Sequence, residues 1–424
     1  MSINKDAYPE LTTDLRNRVI EKVVESIREY YVFEDAAHLM ADHVVAQHKA
    51  EAFHSIGNLP ELAAALGREL RSVNEDLHLS VAAWLPPEED ADREADRAYE
   101  EWLETMPRKN YEFRKLEILL GNIGYLDLRA FCPANIAGQT ATAAMQFLAH
   151  TDALIFDLRD NGGGDSLVQY LQSYLFSEPT HMVSQRYRPD RLEQTWTYAY
   201  VPGPRFPDTP VYVLMSRSSF SAAEDFAYTL QQQGRITVVG EQTRGGAHPI
   251  EFYRFPELCL ELTIPNACSE DPISGGNWEE SGVIPDVAVP ANDALQTAHM
   301  LALETLLETD VTDDMSQMWR WALASVRNNQ SEIELTQDVL DLYVGQYGNS
   351  VVITSSDGAL SLCWGGRRDL ELTPMGDHRF EFDHGTQRAQ FMLENETVQS
   401  LVCSSIDGDK WSLPRRETVA PTSG

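Results

Sequence analysis

The chain has 424 residues, with 33 Lys plus Arg against 66 Asp plus Glu and a net charge of -33. Its 43% hydrophobic and 23% charged residues match an ordinary globular chain of about two or three domains, which excludes wholesale disorder, collagen-like repeats and small disulfide-stapled scaffolds. So acidic a surface argues against nucleic acid or anionic membrane as a main partner.

Cys132, Cys259, Cys268, Cys363 and Cys403 are scattered and odd in number, without a C-x-x-C pair. A disulfide framework or structural zinc site is therefore not expected. The N-terminus lacks a signal-type apolar run, and no stretch reaches about 18 consecutive apolar residues. The chain as written reads as cytoplasmic, or as periplasmic or secreted if a signal peptide has been removed.

Residues 12–76 read as helices. Val19, Ile20, Val23, Val24, Ile27, Tyr30 and Tyr31 recur at helical spacing, with Thr12 and Thr13 as N-caps. Further helices are expected around 36–52 and, after Pro60, around 59–73, giving a small antiparallel helical bundle. The charge run Pro86 to Glu104 reads as a solvated linker or helix face. From 115 to 131 two apolar runs flank Gly121-Asn122, a strand-turn-strand pattern. A helix at 140–149, a buried strand at 153–158 and a helix at 166–176 follow. Next come a buried strand at 211–215, a helix at 222–233 and a strand at 236–239. Strands alternating with helices indicate an α/β core. Beyond 334, strands at 351–354, 360–364, 370–373, 379–382, 389–393 and 398–403 are punctuated by Gly pairs, an antiparallel β-domain. The expected division is 1–80, 81–330 and 335–416.

Three segments carry chemistry. Asp157-Leu158-Arg159-Asp160-Asn161-Gly162-Gly163-Gly164 leaves a buried strand. Its glycines let backbone N–H groups approach an oxyanion, although a tight turn explains them equally. It is neither a Walker loop nor a dinucleotide fingerprint. Ser216 to Asp225 also joins a strand to a helix. Ser221 would sit at a helix N-terminus, where dipole and free N–H groups favour developing negative charge. With Glu224 three residues on, it also fits a capping box. A serine needs a base. Of eleven histidines, His78 beside LHLSVAAW and His248 in RGGAHP are the candidates, and residue physics does not rank them. Asn277 to Asp286 offers Glu279 as a carboxylate to orient an imidazole, or is a surface loop.

Together, ALIFDLRDNGGG, SRSSFSAAEDFAYTLQQQGRITVVGEQTRGGAHP and NWEESGVIPDVAV resemble, in order, the serine peptidase superfamily of C-terminal-processing (tail-specific) proteases, the tricorn core and interphotoreceptor retinoid-binding protein repeats. NYEFRKLEILLGNIGYLDL and the preceding helices are most similar to the retinoid-binding-protein-like branch. The resemblance implies a crotonase/ClpP-like βαβ spiral in the α/β core. It implies Ser221 as nucleophile, His78 as general base and Glu279 as orienting carboxylate. Ala222 and Gly163 would be the oxyanion hole, with Gly162, Gly164 and His248 lining the substrate site. The β-domain is similar to small modules appended to bacterial serine hydrolases. One departure stands out: the position of the lysine in the Ser-Lys branch is Gly246, and no lysine lies between Ser221 and Glu279. No segment of about 90 residues remains for that branch's PDZ domain.

The expected function is peptide-bond hydrolysis through an acyl-enzyme, on peptides or unfolded proteins, without metal or cofactor. A homo-oligomer is compatible with the sequence. The alternatives are a non-catalytic binding protein for an apolar small molecule and an esterase.

Overall fold

The computed structural model describes residues 8–85, 100–188, 190–328, 333–366 and 369–416. Most of the charge run at 86–104 lies outside them. The chain divides into two compact units, 1–117 with 124–295, and 118–123 with 296–424. The architecture is mixed α/β with a C-terminal antiparallel sheet.

The first unit has two cores. One is built on a six-stranded sheet whose β2 (Phe113–Leu119), β3 (Ile123–Leu128), β4 (Ala153–Asp157), β7 (Val211–Met215), β8 (Thr237–Gly240) and β12 (Val287–Ala288) run in spatial order β12-β8-β7-β4-β3-β2. β4, β7, β8 and β12 pair in parallel, with Asp157 opposite Leu214 and Met215 opposite Gly240. Every residue of β4 and β7 is buried, as uninterrupted apolar runs require when both faces are covered. Helices Ala134–Phe147, Leu167–Gln172 and Ala222–Gln232 contribute Ala141, Leu171 and Phe226 to this core. The first begins six residues earlier than its periodicity suggests, directly after Pro133, and the Ser166 hydroxyl accepts from Ala134 N–H.

The second core corrects the picture of an isolated helical bundle. Helices α1 (Thr13–Tyr30), α2 (Glu34–Lys49) and α3 (Leu59–Arg71) form where expected, capped by Thr12 and Asn58 on α1 and α3. Their apolar faces, however, share one core with an antiparallel sheet of β1 (Ser80–Ala83), β10 (Leu260–Pro265) and β9 (Ile250–Phe255). Three short helices need an apolar partner, and Leu260, Leu262 and Ile264, alternating inward along β10, provide it. Because β1 pairs with β10, with Val81 opposite Leu262, the segment before β1 is carried to the loop before β9. That pairing brings residues near 78 beside residues near 248.

In the second unit, helices Ala294–Leu307, Asp313–Asn328 and Gln337–Tyr343 precede eight strands in meander order, β13 (Gly345–Tyr347) to β20 (Lys410–Pro414). A bridge between Tyr347 and Arg415 nearly closes the sheet. The six expected strands are present, and Gly345–Tyr347 and Lys410–Pro414 add two. His299 is buried and hydrogen-bonded to the Leu120 carbonyl at 2.7 Å, a packing histidine. Among the described residues no helix is long and apolar enough to cross a membrane.

Candidate active site

The two strand-helix junctions at 157–164 and 216–222 meet because β4 and β7 are neighbours in the sheet. Side chains stitch them together. Ser216 Oγ donates to the Arg159 carbonyl (2.5 Å), Ser219 Oγ to the Leu158 carbonyl (2.7 Å), and Phe220 N–H to the Asn161 carbonyl (3.1 Å). This cross-bracing holds Ser221 at φ 54°, ψ -119°, a conformation that suits glycine. A serine there carries strain of about 1–3 kcal/mol, which such a site must over-determine.

Glu224 supplies much of that determination. Its buried carboxylate accepts from Ser221 N–H (2.8 Å), Thr243 Oγ1 (2.5 Å), Gly245 N–H (2.7 Å) and Gly246 N–H (3.0 Å). Burial raises its pKa, and the four donors act against that rise. The capping-box geometry is present, and the same carboxylate ties the helix start to the 243–246 loop.

The glycine strip lies against the serine. A Cβ on Gly163, at φ 108°, would fall 2.8 Å from Ser221 Cβ and 3.0 Å from Ala222 N, so only glycine allows this approach. Gly163 N–H donates to Asn161 Oδ1 at 2.9 Å. Gly164 bridges Phe131 and lines the cleft.

The cleft encloses about 440 Å³ and is bordered by His78, Gly164, Ser221, Ala222, Gly246 and His248, among others. His78 packs on Phe220, ring centroids 4.9 Å apart. Its Nδ1 is buried without a hydrogen-bond partner among the described residues. Burial, together with the charge of His248, holds its pKa below 6.5 against the pull of Asp76. Neutral imidazole is the form that can take a proton.

His248 is different. Its Nδ1 lies 3.0 Å from Asp76 Oδ2 and 3.6 Å from Glu279 Oε2. Burial disfavours the imidazolium, but Asp76, Cys268 and Glu279 outweigh it and lift the pKa to about 10. Asp76 is buried too, yet its bonds from His248, His78 N–H and Tyr31 hold it below the usual carboxylate range. Glu279 is raised by burial, against the His248 charge. Asp76, His248 and Glu279 each bring one ligand-type atom within 4.8 Å of the others.

Glu279 accepts from Ala247 N–H (2.6 Å) and His248 N–H (3.2 Å) through Oε2, not from His78. Its Oε1 is buried without a partner among the described residues. Ser221, Ala222, Gly164, His78 and His248 therefore share one cleft, Gly163 abuts Ser221, and Glu279 stands behind His248. Sequence reasoning passed over Asp76 and Tyr31. The only available signal was Asp76 two residues before His78.

Residues 122–289 match the family model described as "Peptidase family S41", and residues 11–120 match "N-terminal domain of Peptidase_S41 in eukaryotic IRBP". The chain carries a domain of peptidase family S41 preceded by that family's N-terminal domain. It is similar to a carboxyl-terminal-processing protease of Picosynechococcus sp., 28% identical over 169 residues, 40% of this chain and 39% of that protein. The match thus spans well under half of the relative. Among solved structures it is similar to a photosystem II D1 C-terminal processing protease (TM-score 0.44, 14% identity, 66% of this chain and 94% of that one). It is also similar to a lipoprotein from Streptococcus agalactiae (0.46, 14%, 68% and 96%) and to the tricorn protease (0.44, 13%, 74% and 37%).

Proposed function

We propose that the protein is a serine peptidase whose nucleophile is Ser221 and whose general base is His78. The observation that carries this reading is a strained serine at a helix start, against a glycine strip, in one cleft with a half-buried histidine kept neutral. Ser221 Oγ attacks the peptide carbonyl as His78 takes its proton. The oxyanion is held by Ala222 N–H and by Gly163 N–H, which turns to it from Asn161. His78 then passes the proton to the leaving amine, giving the acyl-enzyme. Water, deprotonated by His78, attacks the ester, and collapse returns the serine and releases the acid.

Glu279 completes the triad in this reading. His78 Nδ1 and Glu279 Oε1 are both buried and unpaired among the described residues, and an imidazole N–H with a carboxylate oxygen is the pairing each lacks. The parallel sheet with its crossing helices is read as the crotonase/ClpP-like βαβ spiral, the chemistry as confined to residues 1–330, and the substrate as a peptide or unfolded protein. A serine-directed fluorophosphonate tests the reading. Labelling at Ser221, lost in Ser221→Ala, is expected, whereas a folded protein that stays unlabelled would make the cleft a binding site.

A further inference from the structure

The cleft continues past the nucleophile along its own helix. Asp225 follows Ser221 by four residues, its N–H donates to the Ser221 carbonyl at 2.9 Å, and it borders the same cleft about one helical turn further along. Its Oδ1 is buried without a hydrogen-bond partner among the described residues. Gln172, also bordering the cleft, does not satisfy it. The Gln172 amide donates to Thr229 Oγ1 (2.8 Å), and Thr229 Oγ1 donates to the Asp225 backbone carbonyl (2.6 Å).

A second carboxylate stands close by. Asp271 is fully buried. Its Oδ1 accepts from Ile273 N–H (3.0 Å), Ser274 N–H (2.7 Å) and Ser274 Oγ (3.0 Å), while its Oδ2 has no partner among the described residues. Burial, and then the Asp271 charge, push Asp225 up to about 7. Among the described residues no lysine or arginine borders the cleft. Two neighbouring carboxylates with orphaned oxygens are costly unless one is protonated or a cation joins them, and a cation lets both ionise.

We propose that Asp225, backed by Asp271, is the floor of the subsite for the residue on the acyl side of the scissile bond, and that it selects lysine or arginine there. The proposal rests on the Ser221 mechanism. The four-carbon stem of lysine spans one helical turn, and the guanidinium of arginine can engage a carboxylate through two N–H groups. A neutral side chain of the same length leaves the carboxylates unpaired, so discrimination belongs to the class set by unsatisfied polar groups rather than by a lost methylene.

The test uses the full chain and fluorogenic peptides that differ only in that residue: lysine, acetyl-lysine, norleucine, leucine and glutamate. Ser221 labelling by fluorophosphonate is measured in parallel. Lysine should exceed acetyl-lysine and norleucine in kcat/KM by on the order of a hundredfold. Asp225→Asn should bring the lysine-to-norleucine ratio towards one, and Asp225→Glu should restore part of it. The wild-type series needs no variant, so it decides even if a variant misfolds. A labelled enzyme that cleaves norleucine or leucine as well as lysine overturns the subsite while leaving the serine mechanism standing. Neither labelling nor cleavage of any peptide overturns both.

Discussion

A Cβ on Gly246 would lie 2.7 Å from His78 Cε1. By the resemblance Gly246 stands where the Ser-Lys enzymes keep their lysine, and the rings of Phe220 and His78, with Phe220 the nearer, fill the space a side chain would enter. In the proposed mechanism a histidine arriving from the N-terminal segment needs a bare backbone in the 243–246 loop. Gly246→Ala should displace the Phe220 ring and His78 packed on it, lowering kcat by tenfold or more and costing about 1–3 kcal/mol by overpacking. Urea unfolding beside steady-state rates checks this. Unchanged kcat would mean that His78 does not work from its present position.

The two histidines should separate in kind. His78→Ala is expected to lower kcat by roughly a hundred- to ten-thousandfold, as for loss of a positioned general base, with a small effect on stability. His248→Ala leaves Asp76 and Glu279 buried around a hole, and losing one partner of a buried charge cluster costs about 3–5 kcal/mol. Its first signature is therefore a lower unfolding midpoint. A stable but inactive His248→Ala beside an active His78→Ala would reverse the roles.

The pH dependence carries the same distinction. The folded pKa of His248 is about 10, above its unfolded value near 6.5. Its contribution to stability is thus fully present below about 6.5 and is lost as pH rises through about 10. The stability gap between the wild type and His248→Gln should shrink across that window. His78 moves the other way, below 6.5, so on a peptide without lysine or arginine at the scissile bond kcat/KM should rise on a limb whose midpoint lies below 6.5 and stay level to alkaline pH. A limb centred above 7 would assign the titration to another group.

The elements that carried chemistry were legible because their signals are local. ALIFD and VYVLM are uninterrupted apolar runs, and each ends in glycine or serine before a helix. The placement of His78 was not legible from the residues. It depends on β1 pairing with β10, which begins 180 positions after Ser80, and nothing local in LHLSVAAW names that partner. Strands β9, β10 and His181–Tyr187 were missed, and their exposed or mixed faces explain why. The carboxylate cluster was only half legible. Glu279 lies in a recognisable segment, whereas Asp76 acts across 172 positions on His248.

Ser221 itself should be a site where stability was exchanged for function. Glycine adopts φ 54°, ψ -119° without the Cβ strain that serine bears there. The relief, about 1–3 kcal/mol, outweighs roughly 0.5–1 kcal/mol of extra chain entropy. Ser221→Gly should thus be inactive but no less stable, with a midpoint at or above that of the wild type. A marked loss of stability would show that the serine hydroxyl, rather than Glu224, holds the turn.

The remaining question is which carboxylate serves His78, and Glu279→Gln against Asp76→Asn separates the two. Glutamine can still accept from Ala247 and His248 N–H through its carbonyl oxygen, so the loop keeps its shape. It cannot supply a negative oxygen to an imidazolium. If Glu279 stabilises protonated His78 during acylation, Glu279→Gln should lower kcat by on the order of a hundredfold or more, with KM and the unfolding midpoint little moved. Asp76 accepts the backbone N–H of His78 and bonds Tyr31 and His248, so Asp76→Asn should act first on stability and on the His248 titration. A Glu279→Gln enzyme with normal kcat, beside an Asp76→Asn enzyme that is folded but slow, would give the orienting role to Asp76 and leave Glu279 as the residue that holds the 247–248 backbone.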